Sequence, residues 1–174
     1  VLGHEAVKFD VTEENSTEES GVTIVAVKLG NYAQKGIIKI SKTGEVFASV
    51  TAADGVYQPV YTVQGLAGAT YEIKAAADIY TPDGTLRCSA GEVVDTETTG
   101  ADGMAESKPL YLGKYEITEM KAPDGMVINK DAHTAELVYA GQEIEITETA
   151  ASFCNDRQKA RISLSKVLEQ NKQF

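Results

Sequence analysis

The sequence predicts an all-β protein, either a sandwich or a barrel-like fold. Two observations lead to this fold class. Apolar residues recur mostly with a period of two, which is typical of strands with one buried face. Turn signals separate the alternating segments, and no segment carries a sustained helical stripe; the turn signals are Asp54-Gly55, Pro82-Asp83-Gly84, Asp102-Gly103 and Pro123-Asp124-Gly125.

Four alternating segments define the candidate strands in chain order. They cover residues 38–42, 71–73, 115–119 and 143–147, and in each of them apolar side chains alternate with polar ones. Such a pattern predicts strands that bury one face and expose the other. The apolar side chains expected to face the core are Ile38, Ile40, Tyr71, Ile73, Tyr115, Ile117, Ile144 and Ile146.

The composition of the 174-residue chain excludes several classes of function. Sixteen basic and 26 acidic residues give a net charge of −10; phosphate binding depends on clustered basic residues, so no nucleic-acid partner is expected. No apolar run approaches the roughly 18 residues of a membrane span. Cys88 and Cys154 form either one disulfide in an exported protein or two free thiols. His4 and His133 lack partners at metal spacing, so neither a metal nor a cofactor is expected.

An internal repeat predicts an array of similar domains. Residues 31–42 align with residues 155–166 at a constant offset of 124 residues, with identical Asn, Gln, Lys, Ile, Ser and Lys residues. A repeat of domain size in a strand-rich chain indicates tandem modules, and coincidence between two short strands is the alternative. We expect closing strands of a preceding repeat in residues 1–35, one complete domain in 36–156 and the opening strand of a following repeat in 157–174.

Three polar residues occupy positions where an alternating strand requires an inward side chain. Lys42 continues the inward series of the first strand, Glu119 continues that of the 115–119 strand, and Asn155 shares a face with Phe153. Burial of such groups is costly unless they are paired. The three side chains are therefore expected to meet, either as an ion pair that the amide completes or as a reactive trio.

The spacing of these residues resembles the Cna B-type repeat of Gram-positive adhesins and SpaA-type pilins. The resemblance covers residues 36–156, and its most specific element is the Tyr-x-x-x-Glu-x-x-Ala-Pro-x-Gly run. Met126, where an aromatic often follows this run, and the insertion at residues 47–65 depart from the family pattern. The matching segments are Gly36-x5-Lys42, Leu66-Ala-Gly-Ala-Thr-Tyr71, Gly113-Lys-Tyr115-Glu-Ile-Thr-Glu119-x-x-Ala-Pro-Asp-Gly125 and Phe153-Cys-Asn155.

The resemblance implies a prealbumin- or Ig-like antiparallel β-sandwich with an internal covalent bond. In the family, a Lys of the first strand and an Asn of the last form an isopeptide bond that a Glu promotes. Carried onto this sequence, the residues are Lys42, Asn155 and, as promoter, Glu119. General chemistry supports the assignment, because a neutral buried amine is nucleophilic and an acid beside an amide can move protons. The bond would close a loop of about 113 residues.

The function that follows is that of a structural repeat in a cell-surface adhesin or pilus-like stalk. Its partners would be neighbouring repeats, and its location extracellular and cell-wall anchored, with the anchor and signal outside this fragment. One alternative is a module that binds a host protein or glycan through residues 47–65. Another is a sortase-polymerised pilin, although no Leu-Pro-x-Thr-Gly occurs in the chain. An enzyme is not expected, because no nucleophile–base pair is evident and the trio reacts only with itself.

Overall fold

The computed structural model describes residues 8, 10–26 and 32–167 of the chain. Over these residues the protein contains strands and turns but no helix, and hence no helix that could cross a membrane. The strands are β1 (Ser16–Glu19), β2 (Val22–Val25), β3 (Lys35–Ala53), β4 (Val56–Gly65), β5 (Thr70–Ala75), β6 (Ile79–Tyr80), β7 (Leu86–Cys88), β8 (Val93–Thr98), β9 (Met104–Glu106), β10 (Leu110–Tyr111), β11 (Gly113–Lys121), β12 (His133–Leu137) and β13 (Ile146–Asn155).

Two sheets form the body of the domain. In the first, β3 pairs with β13 on one edge and with β10, β9 and β4 successively along the other. The second has the antiparallel order β12-β11-β5-β8. The predicted antiparallel sandwich is confirmed, with one exception. The first strand of the domain, β3, runs parallel to its last strand, β13.

The core lies between the inward faces of these two sheets. Six of the predicted inward residues are buried: Ile38 and Ile40 from the first sheet, and Tyr71, Ile73, Tyr115 and Ile117 from the second. Burial alternates strictly along residues 35–44 and 70–75, because successive side chains of a strand point to opposite faces. All four predicted turns are also observed.

The expectation that Ile144 and Ile146 face the core is wrong. Both side chains are exposed, and the inward residues of β13 are Thr147, Ala151 and Phe153 and, beyond them, Asn155. Register explains the difference, because Ala151 and Phe153 lie opposite the inward Ile40 and Lys42 of β3. With a period of two, this places every even-numbered residue of β13 on the outer face.

The insertion at residues 47–65 extends β3 and β4 into a hairpin beyond the sandwich. Pairing between β3 and β13 ends at Gly44 and Asn155, so residues 45–53 pair only with β4. The hairpin closes at Asp54-Gly55, both with positive φ, which favours Asn, Asp and Gly. Most of its side chains are exposed, including those of Phe47 and Tyr57.

The two ends of the chain differ from the sandwich. Strands β1 and β2 form a separate two-stranded hairpin and pair only with each other among the described strands. Residues 157–167 are mostly exposed and form no extended ladder. Residues 1–7, 9 and 27–31 of the predicted closing segment, which include Asn31, and residues 168–174 lie outside the described residues. The predicted division into three repeat segments therefore stays a prediction.

Candidate functional site

Three strands bring Lys42, Glu119 and Asn155 together inside the sandwich. Lys42 comes from β3, Glu119 from β11 and Asn155 from the last position of β13, and each side chain is at most 4% exposed. The Lys42 Nζ atom lies 3.0 Å from Glu119 Oε1. The Asn155 Nδ2 atom lies 2.9 Å from both carboxylate oxygens of Glu119. The predicted trio is thus assembled, although the covalent bond between Lys42 and Asn155 stays a prediction.

Glu119 occupies the centre of this arrangement. Its carboxylate contacts the Lys42 amine on one side and accepts hydrogen bonds from the Asn155 amide on the other. The backbone N–H of Asn129 donates a further hydrogen bond of 2.8 Å to Oε2, which fixes the orientation of the carboxylate. One acid therefore touches both the amine that would attack and the nitrogen that would leave.

Unpaired polar atoms concentrate at the same place. Among the buried side chains of the described residues, Lys42 Nζ, Asn155 Oδ1 and the Tyr71 hydroxyl have no well-directed hydrogen bond. Tyr71 lies opposite Glu119 in the β5–β11 ladder. Burial, followed by the Glu119 charge, raises the pKa of the Tyr71 hydroxyl. Native interiors seldom leave several polar groups unsatisfied together, so this cluster calls for a chemical explanation.

Aromatic rings pack together on the strands that carry the trio. The Phe153 ring packs between Tyr71, at a centroid distance of 4.6 Å, and His133, at 4.2 Å. Phe153 precedes Asn155 by two residues on the same face, and both side chains are buried. Because the three side chains of the trio are at most 4% exposed, charge–dipole interactions among them are stronger than at the surface.

Close backbone packing fixes the position of Lys42. Its N–H donates to the carbonyl of Gly103 at 2.8 Å, and its carbonyl accepts from the N–H of Leu66 at 2.9 Å. Gly103 has a φ of +78°, and a Cβ atom there would lie 2.4 Å from the Lys42 carbonyl oxygen. Only glycine fits this conformation and this close approach.

Replacing Gly103 with Ala is expected to destabilise the domain and displace the strand that carries Lys42. The left-handed conformation alone costs a non-glycine residue about 1–3 kcal/mol, and the contact with the Lys42 carbonyl adds to it. Gly84→Ala is the matched control, since Gly84 has a φ of +79° and a Cβ atom there would have no neighbouring atom within 4 Å. Urea denaturation measures both variants, and equal losses of stability would contradict the argument.

Other candidate residues from the sequence lie apart from the trio. Lys39, the second lysine of the first strand, points outward and pairs with Glu148 at 2.7 Å. Cys88 is half-buried and Cys154 exposed, and both are free thiols. Lys166, which aligns with Lys42 in the repeat, is exposed.

Sequence reasoning missed the supporting groups of the site. The contacts from Asn129 and Gly103 come from the backbone, and a backbone donor or acceptor has no residue-specific signal. The turn signal at Asp102-Gly103 located the loop but not its proximity to Lys42. Tyr71 was identified as an inward residue, and its hydroxyl beside Glu119 could have been inferred only with the strand register.

Comparison with known proteins identifies a family to which the sequence is similar. The sequence model of the family described as SpaA, a prealbumin-like fold domain, matches residues 60–150, just over half of the chain. The chain is also 31% identical over 74 residues to the trypsin-resistant surface T6 protein of Streptococcus pyogenes serotype M6, covering 41% of this chain and 14% of that protein. The family match contains Glu119 but neither Lys42 nor Asn155, so it does not test their pairing.

Two solved pilin structures are similar to the chain. The minor pilin GBS52 of Streptococcus agalactiae has 15% identity and a TM-score of 0.46, covering 77% of this chain and 49% of that one. The full-length major pilin SpaD from Corynebacterium diphtheriae has 21% identity and a TM-score of 0.45, covering 71% of this chain and 30% of that one. The chain therefore spans half or less of the length of each of these relatives.

Proposed function

The chain belongs to the family of SpaA prealbumin-like fold domains, and on that premise we propose that it is a structural module of a Gram-positive surface stalk or pilus. We propose further that an isopeptide bond between Lys42 and Asn155 stabilises the module. The observation that carries this proposal is the position of Glu119, whose buried carboxylate contacts both the Lys42 amine and the Asn155 amide. No other pair of residues in the described part combines this chemistry with this burial.

The proposed reaction requires no group from outside the trio. The Lys42 ammonium passes a proton to the Glu119 carboxylate, and the neutral Nζ then adds to Cγ of Asn155. The C=O electron pair moves to Oδ1 and returns as the C–N bond to Nδ2 breaks. Overall, the Lys42 ammonium loses two protons as Nζ becomes an amide nitrogen. The Asn155 Nδ2 gains one proton and leaves as ammonia. The remaining proton stays on Glu119 or departs with the ammonia as ammonium.

Positioning lowers the activation barrier for such a reaction. The strands hold amine, acid and amide in contact, and well-oriented groups within one molecule react as if at very high concentration. Each trio reacts once and consumes its own side chains, so the protein does not turn over a substrate. The proposed role is therefore structural.

The proposed setting of the module is a chain of similar domains outside the cell. The repeat at an offset of 124 residues supports a preceding repeat that ends within residues 1–35, a complete domain at 36–156 and a following repeat that opens at 157–174. Family membership and the name of the T6 surface protein support a location at the cell wall. Neighbouring modules of the same polypeptide are the proposed partners.

The intact mass of the purified protein tests the proposed bond. Under reducing conditions we expect a mass about 17 Da below the calculated value, because one ammonia is lost for each bond formed. Peptide mapping should locate the deficit in a branched peptide that joins the segments around Lys42 and Asn155. A full calculated mass would mean that the trio is an ordinary buried polar cluster.

A matched pair of lysine variants assigns the bond to the correct side chain. Lys42→Ala should abolish the deficit, because the attacking amine is removed. Lys39→Ala should retain it, because Lys39 lies on the outer face of the same strand and pairs with Glu148. Loss of the deficit in both variants would point to a general failure of folding, and its loss only in Lys39→Ala would identify a different bond.

One observation favours a second candidate function, that of a binding module for a host protein or glycan. Phe47 and Tyr57 of the insertion are exposed, as such a module requires. A third candidate, a sortase-polymerised pilin subunit, fits the names of the pilin relatives. Both candidates are compatible with an internal cross-link, because the hairpin and the trio occupy different parts of the domain.

A further inference from the structure

The hairpin of residues 45–65 carries an apolar face and a mixed face. Phe47 lies opposite Tyr61, and after an irregularity in the ladder Val50 lies opposite Pro59. Since side chains alternate along each strand, these residues share one side of the hairpin. We refer to this side as the hairpin apolar face; it comprises Phe47, Val50, Ala52, Tyr57, Pro59, Tyr61 and Val63, with Glu45 at its base. The opposite face mixes polar and apolar residues: Val46, Ser49, Thr51, Ala53, Val56, Gln58, Val60 and Thr62.

This face is exposed on a weakly supported element. Phe47, Val50, Tyr57 and Val63 are between 52% and 75% exposed. A two-stranded hairpin without further packing is marginally stable in water, and contiguous exposed apolar surface marks a site of interaction. The hairpin apolar face is therefore a candidate interaction surface.

The chain leaves the domain on that same face. Arg157 Nε lies 2.7 Å from Glu45 Oε2, and its guanidinium lies 3.5 Å from the centroid of the Tyr61 ring. Glu45 and Tyr61 both belong to the apolar side of the hairpin in the β3–β4 register. Arg157 thus fixes the outgoing chain to the base of the hairpin apolar face.

The next predicted strand begins almost immediately after this anchor. By the repeat offset, residues 159–166 correspond to residues 35–42. Ile162 and Leu164, which are 84% and 95% exposed, then correspond to the fully buried Ile38 and Ile40. The alignment therefore predicts that they are core residues of a following module whose first strand is residues 159–166.

The short connection keeps such a module within reach of the hairpin. Two residues from Arg157 to residue 159 span at most about 7 Å, whereas nine residues of extended strand, 45–53, project roughly 30 Å. A domain that starts so close to the base of the hairpin, at the end of the sandwich from which the hairpin projects, lies within reach of it. The charges agree, because residues 157–167 contain four basic and no acidic side chains, and residues 45–65 contain two acidic and no basic ones.

We propose that the hairpin apolar face docks on the module that follows in the same polypeptide, whose first strand is residues 159–166. This inference rests on the modular arrangement proposed above but not on the isopeptide bond. The insertion acts as a brace that holds two successive modules at a defined angle.

Hydrogen exchange of the hairpin amides tests the proposal. We compare peptides from residues 45–65 in the full-length natural protein and in the 174-residue chain. Docking should slow exchange at least tenfold in the full-length protein, because opening of the hairpin would then require undocking. Equal exchange rates in the two proteins would overturn the proposal, as would a natural sequence that continues after Phe174 without a further domain of this type.

Two valine variants make the test specific to one face. Val50→Ser alters the apolar face and Val56→Ser the opposite face, and the two valines are similarly exposed, at 52% and 58%. Val50→Ser should remove most of the extra protection in the full-length protein, and Val56→Ser should retain it. In the 174-residue chain the two variants should exchange alike.

If a different partner covers the hairpin apolar face, the exchange experiment should give a different result. If a second copy of this chain covers it, protection in the 174-residue chain should rise with protein concentration, together with a dimer in sedimentation. If a host protein or glycan covers it, the full-length protein should show no added protection alone. Either result overturns the proposal. The mass measurement remains independent, so failure of the docking and failure of the cross-link are distinguishable.

Discussion

Replacing Glu119 with Gln is expected to leave the purified protein at its full calculated mass. Gln has nearly the same shape, but its amide neither takes a proton from the Lys42 amine nor delivers one to the departing nitrogen of Asn155. Without this acid, the trio has no group that delivers a proton to the departing nitrogen, so the bond does not form. Intact mass spectrometry of the variant should show none of the deficit of about 17 Da expected for the wild type.

The same substitution is expected to destabilise the domain strongly. It leaves the Lys42 side chain buried without the carboxylate that lies 3.0 Å away, and an uncompensated buried charge costs about 3–5 kcal/mol. Glu116→Gln is the control, because Glu116 is exposed on the same strand. A Glu119→Gln protein that retains the deficit would show that another group transfers the protons.

Replacing Lys42 with Met is expected to lower the melting temperature of the domain. Met fills the apolar part of the lysine site but forms no bond, so the 113-residue loop between positions 42 and 155 is released. By the loop-entropy relation for disulfides, such a closure contributes about 4–5 kcal/mol. For a domain of this size the loss corresponds to a fall of the order of 10–20 °C.

Thermal unfolding followed by circular dichroism measures this effect. Lys39→Met is the control, because the Lys39–Glu148 pair is partly exposed and surface ion pairs contribute little. Melting temperatures within a few degrees of each other for the two variants would mean that no covalent loop exists in the wild type. A large difference without a mass deficit would instead assign the stability to the buried ion pair.

Much of the site could be predicted from strand periodicity. Because the side-chain period of a strand is two, the inward residues that precede Lys42, Glu119 and Asn155 on their strands predict where these polar side chains point. The same rule failed at Ile146, because its apolar character suggested one face while Phe153 and Asn155 on the same strand required the other. Alternation counted from residues within a strand thus predicts which face a side chain occupies better than the apolar character of a residue at the end of the strand.

The remaining features depend on contacts distant in sequence. The parallel pairing of β3 with β13 joins residues more than 100 positions apart, and no local pattern specifies a partner strand. The insertion at 47–65 contains a turn signal and alternating residues, so a hairpin could be predicted. Its extension beyond the sandwich could not, because it follows from where β13 ends at Asn155.

The parallel arrangement of the first and last strands determines how the domain would carry tension. The chain enters at the Lys35 end of β3 and leaves at the Asn155 end of β13, which lies beside Gly44. A force that stretches the molecule therefore shears this pair of strands lengthwise. With Lys42 bonded to Asn155, the load runs along β3 to Lys42, crosses to the last residue of β13 and leaves the domain. Residues 43–154 would bear none of it, so the fold could be pulled without being lengthened.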